Sequence, residues 1–442
     1  MPEIRPFRAL RYDLEVVGDP GRVVAPPYDV ITPDLRAALA ARSPRNVVHI
    51  DLPVAEPADA DPDDRYRRAA RLYVQWRGDG TLRKDPRPGL YVYEQTYAVP
   101  GSSVVRMQRG FLGRLRLEPF GPGGGVLPHE RTLAGPKEDR HKLMRATGAN
   151  FSPIVGLYAD PSGRSAAILA RVASTPAVLD ITDDDGVRQR LWVVAGDAPG
   201  APIVEELAML AGAGPVTIAD GHHRYETALR YRDERRVMPS TEADPAYDFV
   251  LALFFECTRE PLTVLATHRI VRGLGEAGAS DLLAAAGSLF DIEPIDDGAA
   301  LAAAFAPAAL APGGDGRLGL WTRSGGAMLR ARGGAFEPYL PSGGAAQRRL
   351  DVTLLQVALE RLCRIDAAAV ASGERVAYAK SSAEAVAAVT GGVGGADAAF
   401  LLDPVPVADI MAVAAEGDVM PQKSTYFYPK AVTGLVLNAL EW

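Results

Sequence analysis

Cysteine is nearly absent from the 442 residues: Cys257 and Cys363 are the only two, far apart and in no CxxC pair. Such sparse usage encodes neither a disulfide framework nor a thiolate zinc site, and it suits a reducing cytoplasm. No run approaches the roughly 18 apolar residues of a membrane helix, and the opening MPEIRPFRALRYDLE lacks the apolar segment of a secretory leader. Positive charge is also short, with 48 Lys+Arg against 55 Asp+Glu and a net charge of −7. Neither nucleic acid nor an anionic membrane is therefore an expected partner. No repeat of roughly 20 to 50 residues is visible, which removes solenoids and propellers. What is plentiful is apolar: 48% hydrophobic residues are enough for a core in each of about two or three domains.

Residues 1–125 read as mixed α and β. A helix is expected after Thr32, with Pro33 at its first position and Asp34 in the first turn. Val47–Ile50 reads as a buried strand, and a helix is expected from about Asp64 to Trp76. Leu90–Tyr97 and Val104–Phe111 have the β-branched and aromatic content of a hairpin around Pro100-Gly101-Ser102. The glycines of residues 121–125 mark a boundary to a polar middle region, 126–275. Residues 276–350, rich in Ala and Gly, read as a helical and loop insertion. The last region, 351–442, alternates helical patterns (Leu354–Leu362, Ala383–Val389) with an apolar strand (Ala398–Leu402) and ends on Lys423-Ser424-Thr425-Tyr426-Phe427-Tyr428-Pro429-Lys430.

Three segments carry chemistry. Val216 to Leu229, VTIADGHHRYETAL, reads as a strand, an Asp-Gly turn and a helix with Tyr225, Ala228 and Leu229 facing inward. A strand fed into a helix N-terminus aims backbone N–H groups and the positive dipole end at one point, which binds phosphate. Gly221, His222, His223 and Arg224 surround that point, and Asp220 supplies a hard oxygen suited to Mg²⁺. The plain alternative makes Asp220 an N-cap, Arg224 a surface charge and one histidine a core residue. The second segment is Val126-Leu127-Pro128-His129-Glu130-Arg131-Thr132, followed by a helix starting at Pro136 with Lys137, Arg140 and His141 on one face. Glu130 beside His129 suits a general base or a metal ligand; an exposed, salt-bridged helix is the alternative. In the third, Gln422 stands where a Walker loop needs glycine, so a P-loop is rejected. Lys423 and Lys430 remain candidates for a phosphate or a substrate carboxylate.

Pro128-His129-Glu130 followed by Asp220-Gly221-His222-His223-Arg224 resembles the active-site pair of the free L-serine kinases, in the ParB/sulfiredoxin-like superfamily. Nearly the whole chain, from Ala25-Pro26-Pro27-Tyr28-Asp29-Val30-Ile31 through Pro136-Lys137-Glu138-Asp139-Arg140 to the Lys423–Lys430 segment, resembles the family named domain of unknown function 1015. The resemblance implies an α+β fold with a ParB/sulfiredoxin-like core flanked by N-terminal and C-terminal α+β regions. The 89 positions between Glu130 and Asp220 then require an insertion.

That resemblance implies a Mg²⁺-dependent phosphotransferase between ATP or ADP and the hydroxyl of a small amino acid, L-serine first. Glu130 would be the catalytic base with His129 beside it. Gly221, His222, His223 and Arg224 would hold the nucleotide phosphates, helped by Lys137, Arg140, Lys423 and Lys430, and Asp220 would bind the metal. A metal-dependent phosphoester hydrolase and a non-enzymatic nucleotide sensor are the alternatives. The oligomeric state is left open.

Overall fold

The computed structural model of the chain describes every residue except 122, 131–134, 238–243, 261, 308–315 and 442. Arg131, Thr132 and part of the Ala/Gly-rich stretch thus lie outside the described residues. The fold is mixed α+β. Thr32 caps the helix Pro33–Arg42 by accepting the Leu35 N–H at 3.3 Å. The next long helix, Asp64–Gly78, buries Tyr66, Ala69, Tyr73 and Trp76, a spacing of three and four that makes one apolar stripe.

A nine-stranded sheet carries the first part of the chain. Its order is Val126–Leu127, Val216–Asp220, Ile154–Tyr158, Phe249–Glu256, Val105–Arg116, Gly89–Ala98, Arg188–Ala195 and Leu179–Thr182, with Ile4–Arg5 also paired to Val105–Arg116. The expected hairpin is present, and its strands share this sheet with Val216–Asp220. Phe249–Glu256, FVLALFFE, is buried at every position, as a strand covered on both faces must be. Phe254 stacks on Phe111 across it, with centroids 5.1 Å apart. Val216–Asp220 runs parallel to Val126–Leu127 and antiparallel to Ile154–Tyr158, and its register slips between Ile218 and Asp220. Such a bulge re-aims the side chains that follow it.

A six-stranded antiparallel sheet follows, in the order Phe290–Ile295, Gly325–Ala331, Arg317–Thr322, Ala396–Leu402, His268–Arg272, Val376–Ala379. The strand Thr263–Leu265, which lies between the two sheets in sequence, pairs with Tyr426–Tyr428 near the end of the chain. Among the described residues no helix is long and apolar enough to cross a membrane.

Two local expectations fail. Val48–Asp51 is a short helix, not a strand, because the Asn46 side chain accepts the Val48 N–H at 3.0 Å and donates to Arg22 and Val24 carbonyls. A side chain that meets these backbone groups replaces a strand neighbour. The Ala/Gly-rich stretch, expected as helix and loop, supplies three of the six strands. Two of its glycines are packing residues within these strands: a Cβ on Gly326 would lie 2.4 Å from Trp321, and one on Gly319 would lie 2.8 Å from Phe305.

Candidate functional site

Asp220 ends its strand, and Gly221 turns the chain with φ +86° into the helix His222–Arg236. That φ favours glycine, and a Cβ there would meet Arg224 Nε at 3.0 Å and Ile154 Cα at 3.1 Å. The helix seats itself through buried Tyr225 and Ala228, with Leu229 partly buried against the same core. The Tyr225 hydroxyl donates to the Glu118 carbonyl at 2.8 Å. The first intrahelical bond runs from Tyr225 N–H to Gly221 O, so the amides of His222, His223 and Arg224 lie ahead of it.

Charge at the turn is dense and paired. Asp220 accepts from Lys430 Nζ on one carboxylate oxygen and from Arg224 on the other. Burial alone would raise the Asp220 pKa, yet Lys430 and Arg224 hold it well below the usual carboxylate range. Burial likewise works against the Lys430 ammonium, and Asp220 and Asp29 together outweigh it and raise the pKa. Arg224 also donates to the Pro153 carbonyl. Asp220, expected as a Mg²⁺ ligand, thus neutralises two cations with both oxygens. Among the described residues no cluster of three His, Cys, Asp or Glu is arranged to hold a metal. This donor set does not fit a resident Mg²⁺ ion.

The Pro128-His129-Glu130 element lies on the same turn. The His129 N–H donates to His222 Nε2 at 3.3 Å, and the two rings meet edge to face with centroids 4.7 Å apart. His129 Nδ1 faces the Ile218 carbonyl, which can only accept, so Nδ1 carries the proton; Nε2 then accepts from the Thr425 hydroxyl at 2.9 Å. Burial lowers the pKa of both histidines, His222 the more. With both ring nitrogens engaged, His129 is a strut between the strand and the C-terminal loop. Glu130 accepts two backbone N–H bonds, from Lys423 at 2.9 Å and Ser424 at 3.2 Å. Met420 N–H closes the same contact on the His129 carbonyl at 2.8 Å.

Lys423 has φ +54°, and its side chain is exposed. The cause lies in a residue the sequence did not single out. Arg269, buried in the strand His268–Arg272, donates to the carbonyls of Thr267, Gln422 (3.3 Å) and Lys423 (3.1 Å). Its guanidinium lies over the cross-strand Tyr378 ring at 4.8 Å. Burial lowers its pKa, with Tyr378 and Glu130 acting the other way. Lys380 is a second addition: its ammonium lies 4.2 Å from the Tyr426 ring centroid, and Lys430 lies 4.6 Å from the same centroid. The sequence marks Arg269 out poorly, because the strand HRIVR carries His268 and Arg272 as well.

The remaining expected residues stay near the turn, Arg140 lining a cavity with Arg224 and Lys137 acting on His223, but each is engaged in contacts of its own. In the helix Gly135–Thr147, Lys137 pairs with Glu226, and His141 lies 3.1 Å from Glu234, so both face the His222–Arg236 helix. Arg140 departs from that face. It is buried, donates to the Asp51 carbonyl and to Asp139, each at 2.6 Å, and covers the Tyr28 ring at 4.3 Å.

Comparison with solved structures finds a conserved hypothetical protein from Pyrococcus furiosus, 13% identical, covering 69% of this chain and 87% of that one with TM-score 0.33. A free serine kinase in complex with AMP is 13% identical, covering 69% and 83% with TM-score 0.35. SbnI with a C-terminal truncation, from Staphylococcus aureus, is 10% identical, covering 73% and 87% with TM-score 0.34. No curated protein matches the chain. A family model does match, over residues 4–353, so that Lys423 and Lys430 lie beyond it. The chain belongs to that family, DUF1015, described as a protein of unknown function.

Proposed function

We propose that the chain is a cytoplasmic phosphotransferase that moves a phosphoryl group between ATP or ADP and the hydroxyl of a small amino acid, L-serine first. One observation supports the reading most: the His129 N–H on His222 Nε2 joins the Pro128-His129-Glu130 element to the Asp220–Arg224 turn across 93 positions of sequence. Phosphoryl transfer needs positioning and charge neutralisation more than covalent help from the protein. The amides and Arg224 at the helix N-terminus serve the phosphates. Each Glu130 oxygen spends one lone pair on an amide and keeps another. The acceptor hydroxyl gives its proton to that carboxylate as its oxygen bonds to the terminal phosphorus. The bridging P–O bond then breaks, with its electron pair leaving on the nucleotide. A Mg²⁺ ion would arrive on the nucleotide phosphates and neutralise part of their charge.

The strand–turn–helix at residues 216–236, with the sequence resemblance, supports a ParB/sulfiredoxin-like core within residues 126–275. Strands from residues 1–125 complete the sheet of that core, and residues 276–350 share a second sheet with strands from 351–442 instead of standing as an insertion. The hydrolase alternative requires a metal held by the protein, which the donor set disfavours.

The test is ³¹P NMR of the protein with the Mg²⁺ salt of ATP or ADP, with and without L-serine, beside Asp220→Ala. A phosphomonoester signal that needs serine and Asp220 is expected. Inorganic phosphate alone would replace the kinase by a hydrolase, and an unchanged spectrum in which nucleotide still binds would leave a sensor.

A further inference from the structure

A cavity of about 460 Å³ lies beside the loop that holds Glu130, within the roughly 300–1,000 Å³ of small-ligand sites. One face of the helix Asp351–Cys363 lines it, with Thr353, Gln356, Val357 and Glu360 at the three-and-four spacing of a single stripe. Tyr339 and Pro341 add apolar surface. The helix Ala367–Ser372 reaches the cavity mostly with the methyl groups of Ala367, Ala368 and Ala371, and side chains that short leave the space open.

Among the described residues Glu360 is the one charged side chain in the lining, and no Lys or Arg joins it. Arg361, next in sequence, covers the Tyr339 ring at 4.4 Å instead. Glu360 is exposed and forms no ion pair among the described residues. Gln356, one helical turn earlier, has a buried Nε2 with no hydrogen-bond partner among them. A buried N–H left unpaired costs free energy, and the terminal torsion of a glutamine is soft enough to turn it toward an acceptor in the cavity. The remaining wall is Val419, Pro421 and Gln422. Gln347 fixes that wall by donating to the Val419 carbonyl at 2.6 Å, and the Ser424 hydroxyl donates to the Pro421 carbonyl at 2.6 Å. Directly after Gln422 come Lys423 and Ser424, whose amides hold Glu130.

We infer that this cavity binds a small molecule carrying a primary ammonium beside an uncharged carbonyl on an apolar body, and that its occupancy steadies the Glu130 loop. The ammonium meets Glu360, the carbonyl accepts from Gln356, and the apolar body lies on the alanine, valine and proline surface. Residues four apart on a helix have Cβ atoms about 5–6 Å apart, so these two side chains suit groups on neighbouring atoms of one ligand. A carboxylate or phosphate is excluded, because it would be desolvated with no cation to meet it. The link to the loop follows from the wall. A ligand that touches Pro421 and Gln422 binds only while they stand in place, and so favours that state over an opened loop. The binding requires no nucleotide and is independent of the phosphotransferase reading.

Isothermal titration of the full chain at about pH 6, where an α-ammonium is formed, tests the site with three probes. L-phenylalaninamide should bind. L-phenylalanine, with a carboxylate in place of the amide, and 3-phenylpropanamide, without the ammonium, should each bind at least about tenfold more weakly. Glu360→Gln should weaken phenylalaninamide about tenfold and leave phenylpropanamide unchanged. Gln356→Leu should weaken both amides, and because Nε2 is unpaired the change takes none of its bonds from the fold. Hydrogen exchange at the Lys423 and Ser424 amides should slow about tenfold with phenylalaninamide at about ten times its Kd. No binding of phenylalaninamide, phenylalanine binding as tightly, or binding unchanged by Glu360→Gln would overturn the site. Binding without slower exchange would keep the site and overturn its link to Glu130. Glu360 is exposed and the probe comparison needs no substitution, so a folding failure of Gln356→Leu leaves the test intact.

Discussion

Lys430 and Asp220, 210 residues apart in the chain, share a largely buried salt bridge at the turn that opens the His222–Arg236 helix. A buried ion pair broken from one side leaves the other charge uncompensated. Lys430→Met should therefore cost about 3 kcal/mol in urea unfolding. Asp220→Asn should cost at least as much, because it strands both Lys430 and Arg224. An unchanged unfolding midpoint in Lys430→Met would mean that Arg224 alone satisfies Asp220.

Glu130 and Arg224 divide the proposed reaction between them. Glu130→Gln keeps an acceptor oxygen for one loop amide and loses the base, so kcat should fall by about 10²–10⁴ with nucleotide affinity kept. Arg224→Ala should instead lose nucleotide affinity. Steady-state kinetics beside nucleotide titration check both, and the reverse pattern would exchange the roles.

Arg269 shapes the loop whose amides hold Glu130, by gripping the Gln422 and Lys423 carbonyls. Arg269→Met should release it, and hydrogen exchange at the Lys423 and Ser424 amides should quicken by about tenfold or more. Arg269→Lys should restore only part of that protection, since one ammonium cannot span three carbonyls. Equal protection in Arg269→Met would show that Glu130 and Met420 hold the loop alone.

His268 accepts the Leu402 N–H at 3.2 Å on Nδ1, and burial, with Arg269 beside it, lowers its pKa to about 4. The unfolded imidazole titrates near 6.5, so the unfolded chain binds the proton first as pH falls. The stability gained by burying neutral His268 is complete above about pH 6.5 and is lost progressively toward pH 4, on the order of 3 kcal/mol. His268→Asn, which keeps an acceptor, should flatten the slope of unfolding free energy over that window. A slope unchanged by the substitution would assign the acid loss to His129 and His222.

The turn was legible because its parts are adjacent: strand, Asp-Gly and helix follow one another within VTIADGHHRYETAL. The helices after Thr32 and Asp64 were legible for the same reason, through a cap and an apolar stripe. Val48–Asp51 was misread because three apolar residues fit a strand and a short helix equally, and the Asn46 bond decides between them. The partners of Glu130 were beyond reach, because two amides 293 and 294 positions away have no side-chain signature. Arg140 shows the limit of a helical-face estimate: spacing placed it with Lys137 and His141, while the Asp51 carbonyl and the Tyr28 ring drew it into the interior.

The loop that holds Glu130 also sets an order on synthesis. A ribosome adding roughly 5–20 residues per second needs about 15–60 s to pass from Glu130 to Lys423. During that interval Asp220 and Arg224 are made without Lys430, and the carboxylate waits without its two amides. A stalled or prematurely ended chain would carry the Asp220-Gly221 turn with its charges unbalanced, a species for chaperones and proteases to handle.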